Sequence, residues 1–374
     1  MKQKRVDIIS DHVISALGIG SDKNFEKLSE NISGVAISAN KDFSQDALPL
    51  GSIDNQYVYK YKERLGILDT YTRFETLCII SIHNALKQTS IDISSPETIL
   101  ILSTTKGNID HIDDKTQHYK LDLWYSAKQI ANFFKVKNTP RIISNSCISG
   151  VVAIIHAQRL LKEGYYKHAV VTGADILSRF IVSGFQSFMA LSPEICKPFD
   201  SKRDGLTLGE GAATIIISSE ARGKISIVKG STANDANHIS GPSRDGEGLY
   251  LAIKNTLGED TNIDYISAHG TGTPYNDDME AKAFYRSKLN NVPVNSYKGY
   301  IGHTLGAAGI IETIYSLCSM NTNKLIKTYG FKDFGVAEPI NIIAHNENKE
   351  LNRVLKTASG FGGCNAAMLI EKNE

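Results

Sequence analysis

Cys147 sits in SNSCISG (residues 144–150), after the apolar stretch RII and before the apolar run VVAII. A thiol at a strand-to-helix turn meets the unpaired N–H groups and dipole of the first helical turn, which favour thiolate over thiol. Its small neighbours Ser146, Ser149 and Gly150 leave room for a substrate, as at a nucleophile elbow. A small buried hydrophobe is the competing reading of a lone cysteine. Two histidines lie in similar turn-rich segments, His269 in SAHGTGTPYNDDMEA and His303 in NSYKGYIGHTLGAAGIIE. The strand DYISA is expected to end at His269, and the loop after it to turn the hydroxyls of Thr271 and Thr273 toward the same opening. Asp277 and Glu280 read as a D-x-x-E capping box for the next helix. Lys298 precedes His303. Glu312 lies inside an otherwise apolar helix, where a buried carboxylate needs a partner, and Lys298 is the expected one. In TASGFGGCNAAMLIE (357–371), Phe361 stands between Gly360 and Gly362, so the backbone can turn tightly and offer its N–H groups to a ligand. A plain glycine turn between two strands fits the same residues.

Elements must hold these groups in place. Short β-branched runs at 97–103, 168–175, 212–218 and 262–270 alternate with helical segments near 70–88, 126–135, 148–163, 275–289 and 304–320, which is α/β order. Two helices, ISGVVAIIHAQRLL and TLGAAGIIETIYSLCSM, are apolar nearly all round and are expected to be buried on every side. Each follows a strand (RIISNS or VPVNS) and a polar turn beside a reactive residue. That repetition suggests two duplicated halves with the two helices as a central layer. Two unrelated buried helices in a doubly wound sheet would give the same pattern.

The balance of 41 basic against 40 acidic residues in 374 leaves no global field for nucleic acid or an anionic membrane. Cys78, Cys147, Cys196, Cys318 and Cys364 are odd in number and never paired as C-x-x-C, against both a disulfide framework and a metal site. A reducing, cytoplasmic setting is expected. The run after MKQKR is broken by Asp and His and is no secretory segment, and no run reaches the roughly 18 apolar residues of a membrane span. The basic cluster KYKER (Lys60, Lys62, Arg64) is a candidate dock for an acidic partner, or a solvated face.

Together, SNSCISG, SAHGTGTPYND, NSYKGYIGHTLGAAGIIE and ASGFGG, in that order, resemble the β-ketoacyl-acyl-carrier-protein synthases of the thiolase superfamily. KPFDSKRDGLTLGEGAA (197–213) and SGFQSFMALS (183–192) add to the likeness, while residues 16–35 match more loosely. The resemblance implies a five-layered αβαβα sandwich of two similar halves, 1–221 with the nucleophile and 222–374 with both histidines. It implies that Cys147 accepts the acyl group, that His269 and His303 promote decarboxylation of a malonyl thioester, and that Lys298 and Glu312 support them. The N–H groups of Cys147 and Phe361 would form the oxyanion hole, with Phe361 also the gate of the acyl pocket. Thr271 and Thr273 would hold the phosphopantetheine arm, with Gly360 and Gly362 beside the substrate. The family needs no cofactor of its own, since its substrates ride on an acyl carrier protein, and it works as a homodimer or with a related synthase-like subunit. Between ALS and PFD the loop is only PEICK, shorter than in the fatty-acid synthases of this group, and STTKGNIDHIDDKTQHYK (103–120) is also distinctive. Such trimming suits a specialised condensing enzyme of the aryl-polyene kind as well as fatty-acid synthesis. A chain-length-factor-like subunit without catalysis, a biosynthetic thiolase and a Cys–His hydrolase are the competing functions.

Overall fold

The protein is described by a computed structural model that covers residues 4–114 and 118–373. Among the described residues, ten strands make the main path of its large sheet. The first five are β1 (Asp7–Ser15), β2 (Thr98–Ser103), β3 (Arg141–Ile143), β4 (His168–Asp175) and β5 (Gly211–Ser218). The second five are β6 (Ile225–Asn234), β7 (Tyr265–Ser267), β8 (Val294–Asn295), β9 (Arg353–Gly360) and β10 (Cys364–Lys372). In space the first set runs β1-β5-β4-β2-β3 and the second β6-β10-β9-β7-β8, the same order by position within each set. Directions repeat as well: the first two pairings of each set are antiparallel and the last two parallel. Antiparallel pairing of β1 with β6, at Asp7–Ser226 and Ile8–Ile225, joins the sets. The duplication suggested by the two apolar helices is thus visible as a repeated topology.

Alternation along each strand divides its side chains between cores. Ile99, Ile101, Ala169 and Val171 face a central core that also holds Val354, Met368 and Ile370 of the second set. Leu100, Leu102 and Val170 face outward onto the helix Arg73–Leu86. Leu355 and Leu369 face the other way, onto Leu249 and Ala252 of the helix Glu247–Leu257 and Met279 and Phe284 of Pro274–Arg286. The helices Ser149–Lys162 and Ala308–Thr322 fill the central core, so the layers run αβαβα. Ile310, Ile311, Ile314, Tyr315, Leu317 and Met320 are all buried in one of them. At roughly 2 kcal/mol per large apolar side chain, that burial explains why a helix with no polar face is stable here.

The two central helices meet near their N-termini. A Cβ on Gly150 would lie 2.8 Å from the backbone nitrogen of Ile310, closer than real Cβ contacts, so glycine is what lets the backbones approach. The contact brings Cys147, just ahead of one helix, to the same end of the layer as His303, just ahead of the other.

The expected helices are present within a few residues at each end, but the last begins as a 3₁₀ turn, Leu305–Ala307, before Ala308. The strand expected over 262–270 is only Tyr265–Ser267. It stops early because the N–H groups of His269 and Gly270 go to the Glu280 carboxylate instead of a neighbouring strand.

Candidate active site

The turn carrying Cys147 is built by its small residues. Ser146 takes a left-handed φ of 49°, uncommon without glycine. The Asn145 N–H donates to Ser149 Oγ (2.7 Å), whose hydroxyl donates to the Ser146 carbonyl (2.6 Å). Cys147 therefore precedes the helix cap, Ile148, by one residue. It is 7% exposed and lines a cavity of about 480 Å³, within the range of small-molecule sites. The glycine turn after β9 abuts it, since a Cβ on Gly360 would lie 3.0 Å from the Cys147 nitrogen.

Burial pushes the Cys147 thiol up to about 11, against the pull of the Ser146 hydroxyl, the Lys298 charge and the Phe361 N–H. This corrects the expectation of a standing thiolate: desolvation outweighs the helix start. At neutral pH the thiol is protonated and must give up its proton to a neighbour when it attacks. The rate of Cys147 alkylation by iodoacetamide, read by peptide mass spectrometry, is accordingly expected to keep rising from pH 7 to pH 10. A plateau reached below pH 8 would contradict it.

Both histidines are placed by backbone bonds. The His303 N–H donates to the Thr207 carbonyl (2.7 Å), and the Gly209 N–H donates to the His303 carbonyl (3.1 Å). The His269 and Gly270 N–H groups donate to Glu280 (2.8 and 2.6 Å), those of Thr271 and Phe199 to Asp277 (3.0 and 2.7 Å). Asp277 and Glu280 are therefore not the capping box their spacing suggests. The helix starts at Pro274 with Thr273 as its cap residue, and the two carboxylates, about one and two turns in, reach back to clamp the loop that carries His269. The imidazole rings stand edge to face, 5.0 Å between centroids at 82°. Cys147 Sγ and one nitrogen of each ring lie within 4.8 Å of one another. Burial, then the Lys298 ammonium, hold both imidazoles well below the usual histidine range, so both are neutral at pH 7. Among the described residues neither ring nitrogen of His303 has a hydrogen-bond partner.

Behind the histidines, Lys298 donates to Glu312 Oε1 (2.7 Å), as expected, and to the His269 carbonyl and Nδ1 (3.4 Å to the latter). An ammonium can only donate, so neutral His269 carries its proton on Nε2. The other carboxylate oxygen, Oε2, accepts from Lys356 (2.6 Å), a residue the sequence reading missed. Its signal was there: in RVLKTA, Lys356 shares a strand face with the core residues Val354 and Ala358, where a lysine needs a buried anion. Asp175 was missed too. It accepts from the Thr104 hydroxyl (2.8 Å) and the Gly306 N–H (2.7 Å), tying the end of β2 to the turn after His303.

Thr271 and Thr273 line the cavity with their hydroxyls 2.8 Å apart, and Gly360 and Gly362 line it as well. Phe361 stacks on Phe185 (5.6 Å) and meets Phe188 edge-on (5.4 Å), an aromatic wall that sequence reasoning did not foresee. The cluster KYKER is elsewhere. It forms the last turns of the helix Asn55–Leu65, and Lys62, paired with Asp69 (2.6 Å), lines a separate cavity of about 1090 Å³ with Ile109 and Glu210. Neither Lys60 nor Arg64 lines the Cys147 cavity. Residues 115–117 of the distinctive 103–120 stretch lie outside the described residues.

Residues 73–222 match the N-terminal domain of β-ketoacyl synthase and residues 225–332 its C-terminal domain. The chain belongs to the β-ketoacyl synthase family. Members of this family are condensing enzymes, and the chain is an acyltransferase of that class. It is 33% identical over 270 residues to 3-oxoacyl-[acyl-carrier-protein] synthase 2 of Rhizobium meliloti (strain 1021), a match covering 66% of this chain and 64% of that one. Over its full length it is 24% identical to 3-oxoacyl-[acyl-carrier-protein] synthase 2 of Staphylococcus aureus (strain COL), 99% of which is covered. The fold is similar to that of a ketosynthase in complex with its chain length factor from Xenorhabdus doucetiae, with TM-score 0.87 and 23% identity over 99% of this chain and 98% of that one. Among the described residues no helix is long and apolar enough to cross a membrane.

Proposed function

We propose that the chain is a catalytic 3-oxoacyl-[acyl-carrier-protein] synthase that lengthens an acyl group held on Cys147 by decarboxylative condensation with malonyl carrier. The observation that carries this reading is the convergence of Cys147 Sγ and the His269 and His303 nitrogens within 4.8 Å in one cavity. Loading comes first: Cys147 sulfur attacks the acyl thioester, its proton passes to an imidazole, and the carrier thiol leaves with a proton. The Cys147 and Phe361 N–H groups receive the oxyanion, such donors typically being worth about 3 kcal/mol each. Malonyl thioester then loses carbon dioxide. The enolate left behind is stabilised by His269 Nε2–H and His303, and it attacks the acyl-Cys147 carbonyl. A C–C bond forms, the C–S bond breaks, and the Cys147 thiolate is reprotonated.

Lys298 orients His269, and Glu312 holds Lys298. With two ammonium groups behind the histidines the site favours an anion over a cation, and the reaction as written uses no metal and no cofactor of its own. Thr271 and Thr273 would hold the phosphopantetheine arm, with Gly360 and Gly362 admitting the substrate to the backbone and Phe361 gating the acyl side. The partner is an acyl carrier protein, in fatty-acid or polyketide-type synthesis, in a reducing cytoplasm where the five thiols stay free. Residues 1–221 and 222–374 are the two halves. The protein pairs with itself or with a related subunit, and similarity to a ketosynthase bound to a chain length factor supports the latter option. A non-catalytic subunit would have no use for the Cys–His–His convergence.

Incubation with acyl carrier and malonyl carrier is expected to give 3-oxoacyl carrier and one carbon dioxide per turnover. Free acid as the product would assign the site to a hydrolase, and no turnover with any primer, in the presence of a synthase partner, would assign it to a non-catalytic subunit.

A further inference from the structure

We propose that Lys356 is a positioning residue: it holds Glu312 so that Lys298 reaches His269 Nδ1, and it places a second positive charge behind the histidine pair. This rests on the condensation reading. Glu312 gives one oxygen to each lysine, Oε1 to Lys298 (2.7 Å) and Oε2 to Lys356 (2.6 Å), and both lysine side chains are 0% exposed. Lys356 also donates to the carbonyls of Ser267 and Ala268 (3.2 Å each), the two residues before His269. One side chain thus ties β9, the central helix and the segment carrying His269. It does not line the cavity, so it acts through its neighbours.

A single lysine would neutralise Glu312. Burial pulls the Lys356 pKa down while the Glu312 carboxylate pulls it up, so as an ammonium it adds a buried positive charge that is costly unless a neighbouring group makes use of it. A developing enolate or thiolate is such a group. The same charge resists protonation of the imidazoles, in the direction that burial already takes them. The other titratable groups facing His269 are His303, Cys147 and Glu280, whose burial beside Asp277 pushes it up to about 7.

Replacing Lys356 by methionine would leave Glu312 to Lys298 alone and the cluster neutral. With a nearby cation gone, protonated imidazole costs less, its pKa rises, and activity is lost at a higher pH on acidification. The test is carbon dioxide release from malonyl carrier between pH 5 and pH 9 by the full chain and three variants. Lys356→Met is expected to lower kcat about tenfold at pH 7 and to move the acid limb up by about one pH unit, with KM within twofold of wild type. Lys356→Gln, which keeps a donor to Glu312 without the charge, should show the same shift and decides the matter if the methionine variant does not fold. Lys356→Arg should keep the wild-type limb, whatever its rate. An unshifted limb in a folded Lys356→Met or Lys356→Gln protein overturns the proposal, as does an equal loss of kcat in all three variants without a shift. If wild-type protein releases no carbon dioxide, the condensation reading itself fails, which separates the two.

Discussion

In a Cys147→Ala variant, intact-protein mass spectra are expected to show no acyl adduct after incubation with acyl carrier, and condensation to fall at least about ten-thousandfold. Among the described residues Cys147 is the only cysteine that lines the cavity. Cys196 is fully buried in a different place, and Cys318 and Cys364, although partly exposed, do not line the cavity. Removing one sulfur from a site that already opens on a cavity should cost only about 1 kcal/mol of stability, so an unchanged melting curve would separate lost chemistry from lost fold. An adduct of undiminished stoichiometry would place the acyl group on another residue.

A His303→Ala variant should divide the reaction in two. Cys147 is protonated at rest, but two neutral imidazoles stand within 4.8 Å of its sulfur. Either can take the proton, and acyl loading is expected to slow by no more than about tenfold. The enolate has no such spare. With one of its two donors gone, carbon dioxide release from malonyl carrier should fall on the order of a hundredfold or more, as when one oxyanion donor is removed. Loading is read from intact-protein mass, decarboxylation from carbon dioxide. Blocked loading with intact decarboxylation would exchange the roles and make His303 the base that activates Cys147.

What could be read from the sequence was what is local. Cys147 and His269 each stand where a strand gives way to a small-residue turn, His303 follows the helical turn Lys298–Ile301, and the two helices without a polar face announced a central layer. The buried Glu312 pointed to Lys298 because a carboxylate in an apolar helix has to be paired. Lys356 shares its strand face with Val354 and Ala358, but it stayed hidden because the anion it needs lies 44 residues away. The D-x-x-E spacing of Asp277 and Glu280 misled for a physical reason: carboxylates three apart on a helix can bond their own cap or reach across to another loop, and only the fold chooses. The acidity expected of Cys147 failed similarly. A helix start is visible in sequence, whereas the burial that overrides it exists only in the folded chain.

The central claim is that the acyl group on Cys147 is the one that is lengthened. The most direct measurement is a single turnover: protein acylated on Cys147 is freed of donor, mixed with malonyl carrier, and sampled by mass spectrometry while carbon dioxide is followed. The expected result is loss of the Cys147 adduct at the rate of carbon dioxide release, with one 3-oxoacyl carrier formed per adduct lost. An adduct that persists while product accumulates, or that leaves as free acid, would contradict it.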